Sequence, residues 1–229
     1  MFLLPSMPVV PTLAQDYPEW HKGRSAFSLW YLELHSPELL AYLAQLRADF
    51  ADILFQPNTR QFHITLFICG FLNSEISSPS VQNPETQTSE TPNSAIQYSY
   101  DDFSLQNFHA QLQQLQALEL RPFKLKTGKI NSFESALFIE IEDAEGDLNR
   151  IRQQLYQCSD EIAPLQYCPH ITIGLYGRTL DSDEVFSRIQ AIEQRSFEFE
   201  VRQLTFGRYT AQQLQGELSA LHQFHLGVP

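Results

Sequence analysis

An α+β fold with mainly antiparallel sheet is the class this sequence predicts, and three observations carry the prediction. β-branched and aromatic runs of strand length alternate with stretches whose leucines and isoleucines recur at helical spacing. A strand–helix–strand unit occurs twice with matching internal spacing. The chain has 229 residues, 43% of them hydrophobic, enough to bury a substantial core as one large domain or two small ones.

Residues 1–24 precede the first regular element. Met1-Phe2-Leu3-Leu4 has no basic flank and is followed by Pro5, Pro8 and Pro11, so it does not read as a signal sequence and is expected to be a loose arm on the surface. The domain proper spans 25–229. Residues 27–34, Phe-Ser-Leu-Trp-Tyr-Leu-Glu-Leu, read as a strand. Ser36 and Pro37 then offer an N-cap and a first helical residue, and Leu39, Leu40, Leu43 and Leu46 follow on one helix face. After Pro57 and Asn58, residues 62–68 form a second strand.

Residues 73–99 are rich in Ser, Thr, Asn, Gln and Pro and contain no Lys or Arg. Such a segment buries too little apolar area to offset its chain entropy, so a mobile linker or inserted loop is expected. It separates a part near 25–72 from a part near 101–229. A helix near 101–118 and a strand near 122–130 lead into the second unit. Residues 137–141 are its first strand, Leu148, Ile151 and Leu155 mark its helix face, and residues 169–173 close it. A helix near 182–193, a strand near 196–206 and a last strand around 217–226 complete the order. Aligning Glu33 with Glu140 also aligns His63 with His170, which suggests duplicated halves.

Composition narrows the function. Charged residues make up 18% of the chain and the net charge is −12, a field that repels phosphate backbones and argues against sequence-independent binding of duplex DNA. A small nucleotide or a nucleic-acid end remains compatible with a local basic patch. No stretch approaches the ~20 apolar residues of a membrane-spanning helix. Cys69, Cys158 and Cys168 are odd in number and form no CxxC pair, so neither a disulfide framework nor a thiolate zinc site is expected, and a reducing cytoplasm is the expected compartment. We expect a monomer.

Strand alternation places His63 and Thr65 on one face, opposite Ile64 and Leu66, and His170, Thr172, Gly174 and Tyr176 on one face, opposite Ile171 and Ile173. A His and a Thr two apart stand about 7 Å along the strand, close enough to touch one small anion together. Two such strands meeting across a cleft suit hydrolysis of a cyclic phosphodiester. One imidazole activates water, the other protonates the leaving oxygen, and the hydroxyls hold the nonbridging oxygens. A lone His-x-Thr is usually a structural or exposed histidine. Two copies on the strands of a repeated unit point instead to shared chemistry.

The segments FHITLFICGF and CPHITIGLYG resemble the paired motifs of the two-histidine (2H) phosphoesterase superfamily, which includes RNA 2',3'-cyclic phosphodiesterases, also called 2'-5' RNA ligases. The resemblance covers about residues 25–226. It implies a bilobal, pseudo-symmetric fold in which two mainly antiparallel sheets, flanked by helices, border a central cleft. It also implies catalytic roles for His63 and His170 and phosphate-holding roles for Thr65 and Thr172. Two departures from the family pattern are the long 73–99 insert and the lack of a basic residue soon after the second motif, where Gly174 and Leu175 stand.

Further candidates are weaker. Tyr176 lies on the parity of His170 and is a candidate for stacking on a base, as aromatics do in that family; an ordinary packed tyrosine is the alternative. Arg208, with Tyr209, is a candidate for binding phosphate or base, against a plain strand end. Arg121, Lys124, Lys126 and Lys129 concentrate basic charge and read either as a guide for an RNA end or as a solvated face. Trp30 reads as core. A Cys168–His170 nucleophile pair would leave the threonines without a purpose. His222 and His225 fall on opposite strand faces, which defeats joint metal ligation, and His21, His35 and His109 have no evident partner in the sequence.

The sequence therefore leads to a phosphodiesterase needing no metal or other cofactor. It would act on a 2',3'-cyclic phosphate or related 2'-5' linkage of a nucleotide or RNA terminus, with a possible reverse, ligating reaction. The competing expectation is a non-catalytic module of the same fold that binds a nucleotide or RNA end.

Overall fold

A computed structural model describes residues 1–72, 100–162 and 166–227; the expected loop at 73–99 lies outside them. After a short helix α1 (Pro18–His21), the chain runs β1 (Ala26–Glu33), α2 (Pro37–Asp49), β2 (His63–Leu72), β3 (Asp102–Phe103), α3 (Leu105–Ala117), β4 (Phe123–Ser132), β5 (Ala136–Glu142), α4 (Asp147–Tyr156), β6 (His170–Leu175), α5 (Ser182–Ala191), β7 (Glu198–Val201), β8 (Gln203–Thr210) and β9 (Ser219–His225). Strand order is β7-β4-β5-β6-β2-β1-β8-β9, with β3 alongside β2 in parallel. The class is α+β, and every neighbour pair on the main path is antiparallel.

The two expected sheets are the two halves of that path. They join where β2 meets β6, through the single registered pair Ile64–Ile171. The repeated units β1-α2-β2 and β5-α4-β6 occupy equivalent places either side of this seam. Chain order and half do not coincide, however. The expected strand at 196–206 is two strands broken at Arg202. β7 pairs with β4, after which the chain crosses over and β8 pairs with β1. Without β8, β1 would be left as an open edge.

Local chemistry fixes the helices. The Ser36 hydroxyl accepts from Leu39 N–H at 3.4 Å with Pro37 in the first turn, and the Ser104 hydroxyl accepts from Asn107 N–H at 3.1 Å. The Asp143 carboxylate accepts from Asp147 and Leu148 N–H at 3.0 and 2.9 Å, which satisfies donors that helix α4 cannot pair itself. Leu39, Leu43 and Leu46 from α2 and Leu148, Ile151 and Leu155 from α4 are buried in one core with Ile64, Leu66, Ile171 and Ile173. Each such side chain contributes roughly 1.5–3 kcal/mol on burial, so an aspartate at Leu43 or Leu155 would detach its helix. Trp30 is core, as expected, and its indole N–H donates to Gln111 at 2.8 Å.

The N-terminal segment differs from the loose arm expected. Leu3 N–H donates to Ser132 O, Val9 N–H to Leu180 O, Val10 N–H to Glu134 O and Thr12 N–H to Tyr176 O, at 2.7–2.9 Å. Leu3 and Val9 are buried. Prolines that break a helix leave extended backbone free to pair with neighbouring chain, which is why the segment is fastened. No helix among the described residues is long and apolar enough to cross a membrane.

Candidate active site

The buried pair Ile64–Ile171 faces the core, so the residues either side of it face the other way. Continuing that antiparallel register by one residue sets His63 across from Thr172 and Thr65 across from His170. All four side chains are half-buried and share one sheet face. The flanking strands repeat the symmetry: Glu33 lies beside His63 and Tyr31 beside Thr65, while Glu140 lies beside His170 and Phe138 beside Thr172. Each imidazole meets the edge or face of a diagonal ring, Tyr31 to His63 at 5.8 Å and Phe138 to His170 at 5.3 Å between centroids. Gly207 keeps Tyr31 in place, because a Cβ there would lie 2.9 Å from its ring.

Both histidines are oriented in the same manner. His63 Nδ1 lies 2.8 Å from Gln61 O, and His170 Nδ1 lies 2.7 Å from Cys168 O. A carbonyl only accepts, so each Nδ1 carries the proton and each neutral ring keeps its Nε2 lone pair free. Burial pulls the His63 pKa down to about 4, helped by the positive fields of Arg60, His170 and Arg47 and opposed by the Gln61 carbonyl. Burial also lowers that of His170, against its bond to Cys168 O. Two neutral imidazoles with free Nε2 atoms beside two hydroxyls can accept a proton, donate one once protonated, and hold an oxyanion.

A bulge follows each motif at the same offset. Along β2, Leu66 is the extra residue between the partners of Trp30 and Tyr31; along β6, Ile173 is the extra residue between the partners of Leu137 and Phe138. A bulge leaves a backbone carbonyl outside the ladder, and here an arginine takes each one. Arg47 of α2 donates to Ile173 O at 2.9 Å, and Arg152 of α4 donates to Leu66 O at 2.5 Å. Each arginine therefore reaches from the helix of one half to the histidine-bearing strand of the other. Arg152 is also paired with Glu161, both side chains being 6% exposed, and Glu161 accepts from Ile68 N–H at 2.9 Å. The Tyr167 hydroxyl donates to Thr65 O at 3.1 Å.

The bulge at Ile173 also overturns the expectation for Tyr176. It reverses the strand's parity, and Tyr176 turns into the core at 0% exposure with its hydroxyl 2.6 Å from that of Ser132. It cannot stack on a ligand. Arg208 is corrected as well: it pairs with Ser28 and shares the strand face of Phe206, which packs in the core with Trp30, away from the histidines. Its neighbour Tyr209 takes the other face, with the Arg60 guanidinium 3.9 Å from its ring centroid.

Arg60, three residues before His63, thus supplies the nearby cation that sequence reading missed, and its signal was the basic residue just upstream of the motif. Phe2 and Phe133 were missed too. Phe133 lies 5.0 Å from His170, and Phe2 lies 5.3 Å from Phe133. Lys124 and Lys126 pair with Glu198 and Glu142 on an exposed face, the plain solvated reading. Burial raises the Cys168 thiol, the wrong direction for a nucleophile. His222 packs edge-on to Phe108, and His21 contacts Asp16 at 3.0 Å. Among the described residues no group of three or more His, Cys, Asp or Glu side chains is placed to hold a metal ion.

Comparison with known proteins gives a family match and a likeness of fold. The family model described as 2'-5' RNA ligase superfamily matches residues 35–213. No curated protein matches the sequence. Among solved structures, Escherichia coli LigT complexed with 3'-AMP is similar at 13% identity and a TM-score of 0.58, covering 88% of this chain and 98% of that one. TT0787 of Thermus thermophilus is similar at 14% identity and 0.51, covering 88% and 98%. ATU0111 of Agrobacterium tumefaciens is similar at 14% and 0.51, covering 92% and 90%. These likenesses concern the fold.

Proposed function

The chain belongs to the 2'-5' RNA ligase superfamily, and on that premise we propose that it hydrolyses a 2',3'-cyclic phosphate, or a related 2'-5' phosphodiester, on a nucleotide or RNA terminus without a metal ion. The observation that carries this reading is the pair of imidazoles on adjoining antiparallel strands, each with Nδ1–H tied to its own strand and Nε2 free on a shared face. Escherichia coli LigT has been seen with 3'-AMP and with NADP+, which supports a nucleotide as the ligand of this fold.

His63 is the base in this scheme. Burial and the fields of Arg60 and Arg47 keep it neutral, so its Nε2 takes a proton from water as the water oxygen bonds to phosphorus. Among the described residues no arginine contributes to the lowering at His170, which burial causes and the Cys168 carbonyl opposes, and the anionic substrate favours its protonated form. It gives its Nε2 proton to the ribose oxygen as the P–O bond breaks, leaving a phosphomonoester and a free hydroxyl. The Thr65 and Thr172 hydroxyls donate to the nonbridging oxygens, where charge builds up. Exchange of one proton with solvent restores both rings, and the reverse sequence would form a linkage.

Incubation with 2',3'-cyclic nucleotides in EDTA, with products followed by phosphorus NMR, tests the proposal. Monophosphate should accumulate under chelation. Binding without any product would establish the competing module that captures a nucleotide end and does no chemistry.

A further inference from the structure

A cavity of about 470 Å³ opens beside His63, on the side of β1 and β9 away from the seam. Its walls are largely apolar, with Leu34, Leu40, Phe62, Leu218 and Tyr31 among them, and one carboxylate, Glu33, faces in. That volume and lining fit a planar heterocycle.

Glu33 is held rather than loose. The Thr205 hydroxyl, itself fully buried, donates to its Oε1 at 2.9 Å. Tyr31, on the same strand face, senses that charge: burial first and the Glu33 carboxylate second raise its phenol pKa to about 12. A carboxylate offers about four acceptor positions, and the Thr205 hydroxyl takes one of them, which leaves acceptor capacity for a ligand in the cavity. It has no donor to give, and its charge repels a phosphate. An anion is therefore excluded from the cavity and left to the histidines and threonines, while a neutral ring with hydrogen-bond donors is favoured inside.

We propose that this cavity is a nucleobase subsite in which Glu33 reads the donor edge of the base, and that it prefers guanine. Guanine alone among the four bases presents two adjacent donors, N1–H and the N2 amino group, which match the two oxygens of a carboxylate. Adenine and cytosine present one amino group beside a ring acceptor. Uracil presents one N–H between two carbonyl oxygens that Glu33 would repel. The inference rests on the nucleotide reading above and assigns its specificity.

Calorimetric titration of the full chain with the four nucleoside 3'-monophosphates tests it without requiring turnover. The 3'-GMP complex should be at least tenfold tighter than the 3'-UMP complex, within the discrimination a bidentate pair supplies. In Glu33→Gln, which keeps the shape but turns an acceptor into a donor, that ratio should fall close to one. In Ala220→Phe, which fills the cavity from an exposed strand position, the preference should also vanish. Equal affinities in the unaltered protein, no binding at all, or a preference that survives both substitutions would each overturn the subsite. Guanine preference without hydrolysis of any cyclic nucleotide would leave the subsite standing and sink the reaction; hydrolysis without base preference would do the reverse.

Discussion

Replacing Arg152 with methionine removes a guanidinium that donates to Leu66 O at 2.5 Å, to Glu161 at 3.1 and 2.7 Å and to the Tyr156 hydroxyl at 3.2 Å. The methionine fills much of the same volume, so cavity formation contributes little. What remains is a carboxylate at 6% exposure with its countercharge gone and a bulge carbonyl without its donor. Breaking a buried ion pair from one side costs about 3–5 kcal/mol. For a chain of this length that corresponds to a fall in Tm of roughly 6–20 °C. The double substitution Arg152→Met, Glu161→Leu removes both charges and should cost clearly less than the sum of the two single changes, a coupling readable by urea denaturation. Catalysis supplies the second measurement. Leu66 follows Thr65 directly, and a displacement of Thr65 and His63 by about 1 Å should lower kcat by up to ~100-fold with a smaller change in KM. A single variant that loses less than about 1 kcal/mol would refute the stabilising role. One that loses stability as stated but keeps the parent kcat would refute the positioning role.

Three other outcomes follow from the same geometry. Substituting His63 or His170 with alanine should cut turnover of a cyclic nucleotide by ~10²–10⁴-fold while far-ultraviolet dichroism stays unchanged; near-parental rates in both variants would remove the two-histidine scheme. Because His63 titrates near 4 in the folded chain and near 6.5 when unfolded, the unfolded state binds more protons between those values. Stability should therefore decline as pH falls from about 6.5 to about 4, by at most ~3 kcal/mol from this group, and His63→Gln should flatten that part of a urea-midpoint profile against pH. Tyr176→Phe strips a buried hydroxyl from its bond to Ser132 and should cost about 1–2 kcal/mol with KM unaffected, whereas a raised KM would mean that the ring meets substrate after all.

Much of this arrangement is legible in the sequence because it depends on short-range periodicity. The strands at β1, β2, β5 and β6 and the helices α2 and α4 announce themselves through alternation, caps and leucine spacing, and the shared face of His63 with Thr65 and of His170 with Thr172 follows from period two. The same rule misplaces Tyr176, since a bulge is a property of the partner's register and Ile173 looks like any other strand residue. Arg208 and Tyr209, one candidate pair in the sequence, part onto opposite strand faces for a related reason: which face each takes depends on how β8 pairs with β1, a contact between distant parts of the chain. Phe2 had no local signal at all, because its place beside Phe133 exists only after the N-terminal segment has joined the turn between β4 and β5. The division at the insert also misleads on topology, because β8 and β9 return to the first half.

The crossed arginines carry a consequence for how the molecule could ever be divided. Arg47 grips the second motif from the first half, and Arg152 grips the first motif from the second. Orientation of each motif is thus stored in trans. A fragment bearing either unit would keep its imidazole yet lose the grip that aims it, so fragments would regain competence only by reassembling.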